Sequence, residues 1–117
     1  MAYCTLDDIL GMIDEEDVIR HTDDFDTGTV NTSATDRAIA GADALIDSYI
    51  GSRYSVPVSP VPDIVRDLSV DIAIYKICSR RDRTPVEARK KYDDARLFLE
   101  KISAGTAVIT GAAPAPV

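Results

Sequence analysis

The sequence predicts an all-α fold: a small bundle of four to five helices, with a proline-rich elbow and a flexible C-terminal tail. Three observations carry this. A capping residue stands three positions ahead of an acid at Thr5 and Asp8, Asp14 and Asp17, Ser33 and Asp36, and Thr84 and Glu87. Such pairs satisfy the free amides at a helix start from both directions. Apolar residues then return every three or four positions, the period of one helix face. Aromatic residues are only 6% of the chain and Trp is missing, so Ile, Val, Leu and Ala must build the core, a composition suited to packed helices.

A length of 117 residues allows one core and is too short for two ordinary domains. Residues 1–104 are predicted as the helical domain and 105–117 as a tail that is flexible or ordered by a partner.

In chain order, residues 6–12 and 15–21 read as two short helices with Leu6, Ile9, Leu10, Ile13, Val18 and Ile19 on their apolar side, and a polar loop covers 22–32. Residues 34–52 form a long amphipathic helix. Its stripe is Ala38, Ile39, Ala42, Leu45, Ile46, Tyr49 and Ile50, with Asp36, Arg37, Asp43 and Asp47 outside it. The segment 55–62 holds Pro57, Pro60 and Pro62; each ring fixes its own φ and disfavours helix in the residue before it, so this elbow is extended and stiff. A helix then starts behind Pro60 or Pro62 with Asp63 in its first turn and runs to about residue 79.

That helix is apolar on both sides: Ile64, Val65, Leu68, Ile72 and Tyr75 face one way, Val70, Ala73, Ile74 and Ile77 the other. A helix apolar nearly all round is buried. Two arrangements satisfy it: a central core helix, or one that faces its own core on one side and a neighbouring subunit on the other. Arg80, Arg81 and Arg83 follow it, where cations suit the negative end of the helix dipole. The last helix, 86–103, opens on Pro85 and carries Ala88, Tyr92, Ala95, Leu99 and Ile102, with Phe98 at the edge of the stripe and Gly105 as its stop. Residues 106–110 are β-prone without a partner strand, which predicts a disordered tail or pairing of Val108 and Ile109 with a neighbouring copy or partner protein. The candidate subunit-interface residues are therefore Val70, Ile74, Ile77, Val108 and Ile109.

Charge narrows the function classes. The net charge of −7 opposes a surface built to neutralise phosphates, because nucleic-acid affinity rests largely on Lys and Arg. Residues 1–60 hold twelve acids and three bases, net −9, whereas 61–117 hold eight acids and ten bases, net +2. The basic stretch is either a solvated helix face or one half of a head-to-tail contact between copies. No segment reaches the roughly 18 apolar residues of a membrane span, and no basic and apolar leader opens the chain, so a soluble protein without membrane contact is expected. Cys4 and Cys78, far apart in sequence, read as free thiols in a reducing compartment.

Chemistry-bearing constellations are thin. The single histidine, His21, ends a short helix and has no second ligand at metal spacing. Asp67 and Asp71 lie one helical turn apart and read as solvated or paired with Arg. Neither a nucleophile elbow nor a phosphate-binding glycine loop appears. No enzyme activity, cofactor or small-molecule substrate is expected. The loop from Asp23 to Asn31 places Gly28 where a calcium loop has its turn, but Phe25 and Ala34 occupy two ligand positions.

The order of these motifs resembles the Mu-like phage head-to-tail connector family over about residues 3–104. The resemblance is carried by Tyr3 with Thr5, Leu6, Asp7 and Asp8, by Ala44 through Ile50 with Arg53 and Tyr54, and by the prolines of the elbow. Asp71, Ile72, Ala73 and Tyr75, then the arginine cluster and Tyr92, Asp93, Asp94 and Ala95, complete it. Family members often look like DxDxDG in the loop before the long helix, a pattern that Phe25 and Thr27 break here. The resemblance implies a structural virion protein, assembled in the bacterial host cytoplasm, that forms a homo-oligomeric ring under the portal. It would contact portal and tail-completion proteins and let DNA pass without binding it specifically. Two alternatives are a small helical regulatory module and a calcium-responsive adaptor. A helix-turn-helix over residues 6–21 would carry six acids against one Arg, the wrong sign for DNA.

Overall fold

A computed structural model describes residues 2–81 and 84–114. The predicted all-α bundle is what it shows: α1 (Leu6–Leu10), α2 (Glu15–Thr22), α3 (Thr32–Ile50), α4 (Asp63–Cys78) and α5 (Val86–Ala104), with a 3-10 turn, Ser79–Arg81, after α4.

Local chemistry explains the helix ends, with two shifts from the sequence expectation. Thr5 and Asp8 form the reciprocal capping box at α1. At α3 the cap is Asn31 rather than Ser33: its side-chain oxygen accepts from the Ala34 amide, while its own amide donates to the hydroxyl of the buried Thr22. The long helix therefore starts two residues earlier than the pattern from Ala34 suggests. At α5 the cap is Pro85 rather than Thr84. Gly105 closes α5 in the left-handed region at φ 85°, as expected of a C-terminal glycine, and the amides of Gly105 and Thr106 bond back to the last turn.

Helix α4 is the centre of the bundle, packed against α3, α5, α1 and α2. This settles the choice its two apolar sides left open in favour of the core reading. Val65, Leu68, Val70, Ile72, Ala73, Ile74 and Ile77 are all buried, and of its large aliphatic residues only Ile64 is exposed. Against it α3 buries Ala38, Ile39, Ala42, Ile46 and Ile50, and α5 buries Ala88, Ala95, Leu99 and Ile102. Gly41 admits the stem of Lys76 close to the α3 backbone. Tyr75 and Tyr92 stack with ring centroids 3.9 Å apart, joining α4 to α5, and Arg96 lies over the outer ring at 5.8 Å.

The elbow is anchored rather than merely stiff. Val58 is buried between the prolines, and its amide donates to the Tyr3 hydroxyl. The folded chain measures 50 × 26 × 20 Å along its principal axes.

Candidate assembly surfaces

Most of the interface residues expected from sequence are buried within the protomer. Val70, Ile74 and Ile77 on α4 and Ile109 in the C-terminal segment are buried in the protomer's own core, α4 being packed against α1, α2, α3 and α5. Only Val108, 73% exposed, is available to a neighbour. The large apolar residues left in solvent are others: Phe25, Val86, Leu97 and Met12, with Val56 and Ile64 less so. Ile64 stands on the apolar side that periodicity gave α4 and is exposed at the helix start; the others lie off a helix's core stripe or on a loop.

Residues 105–114, expected to be flexible or ordered by a partner, fold back as a strap across the start of the elbow. Ile109 is 4% exposed, and its amide donates to the Tyr54 hydroxyl. The Ser55 amide donates to the Ala113 carbonyl, and Tyr54 pairs with Pro114 in an isolated antiparallel bridge. Arg53 locks the root of the strap: its Nε donates to the Ser103 carbonyl at 3.0 Å, and its guanidinium fills the space that a side chain on Gly105 would need. Arg53 and Tyr54 belong to the sequence motif noted above, and their work is to hold this segment.

A second polar centre fastens the N-terminal segment. The Tyr3 hydroxyl donates to Asp47 on α3 and accepts from Val58, so one oxygen ties three segments. Burial, reinforced by the Asp47 carboxylate, pushes this hydroxyl up to about 12. The Tyr3 amide donates to Asp43, and the Ser69 hydroxyl lies within hydrogen-bond reach of Asp43 and of the Cys4 sulfur. Burial raises Asp43 and also raises the thiols of Cys4 and Cys78, which are separate free cysteines. A buried thiol with a raised pKa is a poor nucleophile.

The 23–31 loop spends its carboxylates on its own shape. Asp23 accepts from the amide and hydroxyl of Thr27 and from the Gly28 amide, which lowers its pKa. Asp24 takes a two-point ion pair from Arg80, whose guanidinium also donates to the His21 carbonyl. Phe25 is presented at the tip, 81% exposed. Among the described residues, no three of His, Cys, Asp and Glu converge on a point that could hold a metal ion.

A cleft of about 280 Å³ lies where α2 and the α1–α2 turn meet α4 and α5. Met12, Ile13, Ile74 and Cys78 form its apolar wall, while Asp17, Arg20, Asp71, Glu87 and Lys91 give a mixed rim. Burial raises Asp71 against the opposing pull of Lys91. The predicted charge division has a structural counterpart, with α1 and α2 holding five acids against Arg20 and α5 five bases against four acids. Among the described residues, no helix is long and apolar enough to cross a membrane. Of the predicted basic cluster, Arg83 and the side chain of Arg81 lie outside the described residues.

Comparison with known proteins gives the family. The sequence profile of a family described as "Bacteriophage Mu, Gp36" matches residues 3–116. A relative named "Mu-like prophage FluMu protein gp36", from Haemophilus influenzae, is 32% identical over 77 residues, covering 66% of this chain and 53% of the relative. The chain thus spans about half the length of that curated relative. With its profile match running from Tyr3, which pins the N-terminal segment, through the strap, the chain belongs to the Bacteriophage Mu Gp36 family.

Proposed function

We propose that this protein is a structural component of a phage or prophage virion, a head-to-tail connector subunit. Copies of it would form a ring under the portal, contact portal and tail-completion proteins, and leave a passage for DNA. The observation that carries the reading is the family match over residues 3–116, on a chain whose sequence motifs resemble Mu-like connectors in order and spacing.

The surface chemistry supports it. Exposed groups are charges and isolated apolar side chains of the kind that mediate contacts between folded partners, such as Phe25, Leu97 and Val108. The acidic α1–α2 end and the more basic α5 suit a head-to-tail contact between copies, which closes into a ring when the rotation permits. A net charge of −7 would let DNA slide past without sticking, since like charges repel phosphates. An enzymatic role has less support: the buried thiols have raised pKa values, and the acids of the loop are engaged in shaping it.

Incubation with the portal protein of the same phage, followed by size measurement and electron microscopy, tests the proposal. A ring seated on the portal is the expected result. A chain that stays a monomer with and without portal, together with tailed particles that assemble normally in its absence, would overturn it.

A further inference from the structure

The strap is held by few ties, and its socket belongs to the elbow. One large side chain, Ile109, plugs the body, with the small Ala107 and Ala112 packed partly against it. Two backbone amides, those of Ile109 and Ser55, bond across the contact. Val108 beside the plug remains in solvent. Gly105 and Gly111 flank the plug at φ 85° and 89°, a region glycine enters and leaves without steric penalty, so the segment has pivots on both sides.

We propose that this strap is exchanged between copies: residues 106–114 of one protomer occupy the elbow socket of the next. The occupant is a second copy of this chain. The socket already fits this segment within one chain, so the same segment arriving from a neighbour recovers the same plug and the same hydrogen bonds. Swapping of identical elements is a low-barrier route to oligomers for this reason.

Reach limits the geometry. Nine residues released at Gly105 span at most about 30 Å. That exceeds the 26 and 20 Å extents of the protomer and falls short of its 50 Å axis. Exchange is therefore open to copies packed side by side and closed to copies stacked along the long axis. Dilution favours the closed monomer, because the intramolecular strap always competes at a fixed effective concentration. Arg53, braced on Ser103 and Gly105, sets how readily the strap leaves.

The inference rests on the ring reading, and one pair of full-length variants separates the two. Ser55→Cys in one population and Ala113→Cys in another cannot form a 55–113 disulfide within a single chain. The native Cys4 and Cys78 are buried and serve as the background. Mixing under oxidation should give an intermolecular 55–113 disulfide, mapped by peptide mass spectrometry, whose yield rises with protein concentration. The double variant S55C/A113C should close within itself and lose the ability to assemble, with reduction restoring it. If the locked double variant assembles as well as wild type, exchange is wrong and the ring stands. If the mixed single variants form no 55–113 disulfide and wild type forms no assembly with portal, exchange and ring fall together.

Discussion

Helix α4 and the strap at 105–114 make opposite promises in sequence. The helix is apolar on both sides and invites a neighbouring subunit; the strap is short, rich in small residues and invites disorder. In the folded chain both bury their key aliphatic side chains within the protomer, α4 against four other helices and the strap chiefly through Ile109. The difference between them is therefore one of depth. What a segment buries is decided by how many elements surround it, and composition reports that only indirectly. A central helix in a chain this small spends most of its surface on its own neighbours, whereas an edge segment held by few ties can change hosts.

The sharpest way to break this comparison is Ile77→Asp. It places a carboxylate at a position with 0% exposure, and burying an uncompensated charge should remove more than about 4 kcal/mol. The expected outcome is loss of cooperative melting by far-ultraviolet circular dichroism. A folded variant with near-native Tm would return α4 to the surface.

Ile109→Ala probes the strap at the same chemical level. Leaving a cavity at a buried Ile typically costs about 2–5 kcal/mol, but a strap that detaches locally limits the loss. About 1–3 kcal/mol is expected, with helical content unchanged and faster amide exchange confined to residues near 109. A loss as large as that of Ile77→Asp would make the strap part of the core.

Tyr3→Phe should cost about 1–3 kcal/mol, since it leaves the buried Val58 amide without its acceptor. The pH dependence has a definite sign. The folded pKa, about 12, lies above the ordinary 10.0, so the contribution is complete below pH 10 and disappears as pH rises toward 12. Denaturant titrations over that range should show a slope that Tyr3→Phe flattens.

The smallest effect is expected on the loop. Asp24→Asn weakens a partly exposed ion pair with Arg80 and should cost no more than about 1 kcal/mol by Tm. Calcium should leave the melting temperature unchanged in wild type and variant alike, because Asp23 already accepts from the amides of Thr27 and Gly28.

Legibility followed sequence distance. The Thr5 and Asp8 box, the α3 stripe and the Gly105 stop are local, and they were readable because their partners stand within one turn. Asn31 displaced Ser33 as a cap because its amide bonds to Thr22, a tertiary contact no capping pattern encodes. The Tyr3 and Asp47 contact spans 44 positions, and the Tyr54 and Ile109 contact 55, so the anchoring of both ends was invisible to periodicity. Motif order carried the family, because order and spacing survive where pairwise contacts cannot be seen. The exposed Phe25 and Leu97 had no signal at all: a side chain that packs on nothing leaves no period behind.

The stacked tyrosines have a practical consequence. With no Trp in the chain, its near-ultraviolet spectrum comes chiefly from five tyrosines, and the face-to-face pair Tyr75 and Tyr92 bridges α4 and α5 at 3.9 Å. Coupled transitions of two such rings give a dichroic band absent from isolated phenols. Separation of those two helices can thus be followed without a dye, while ionisation of the Tyr3 chromophore reports the anchored N-terminal segment. The protein carries its own optical reporters for the body and for its anchored end.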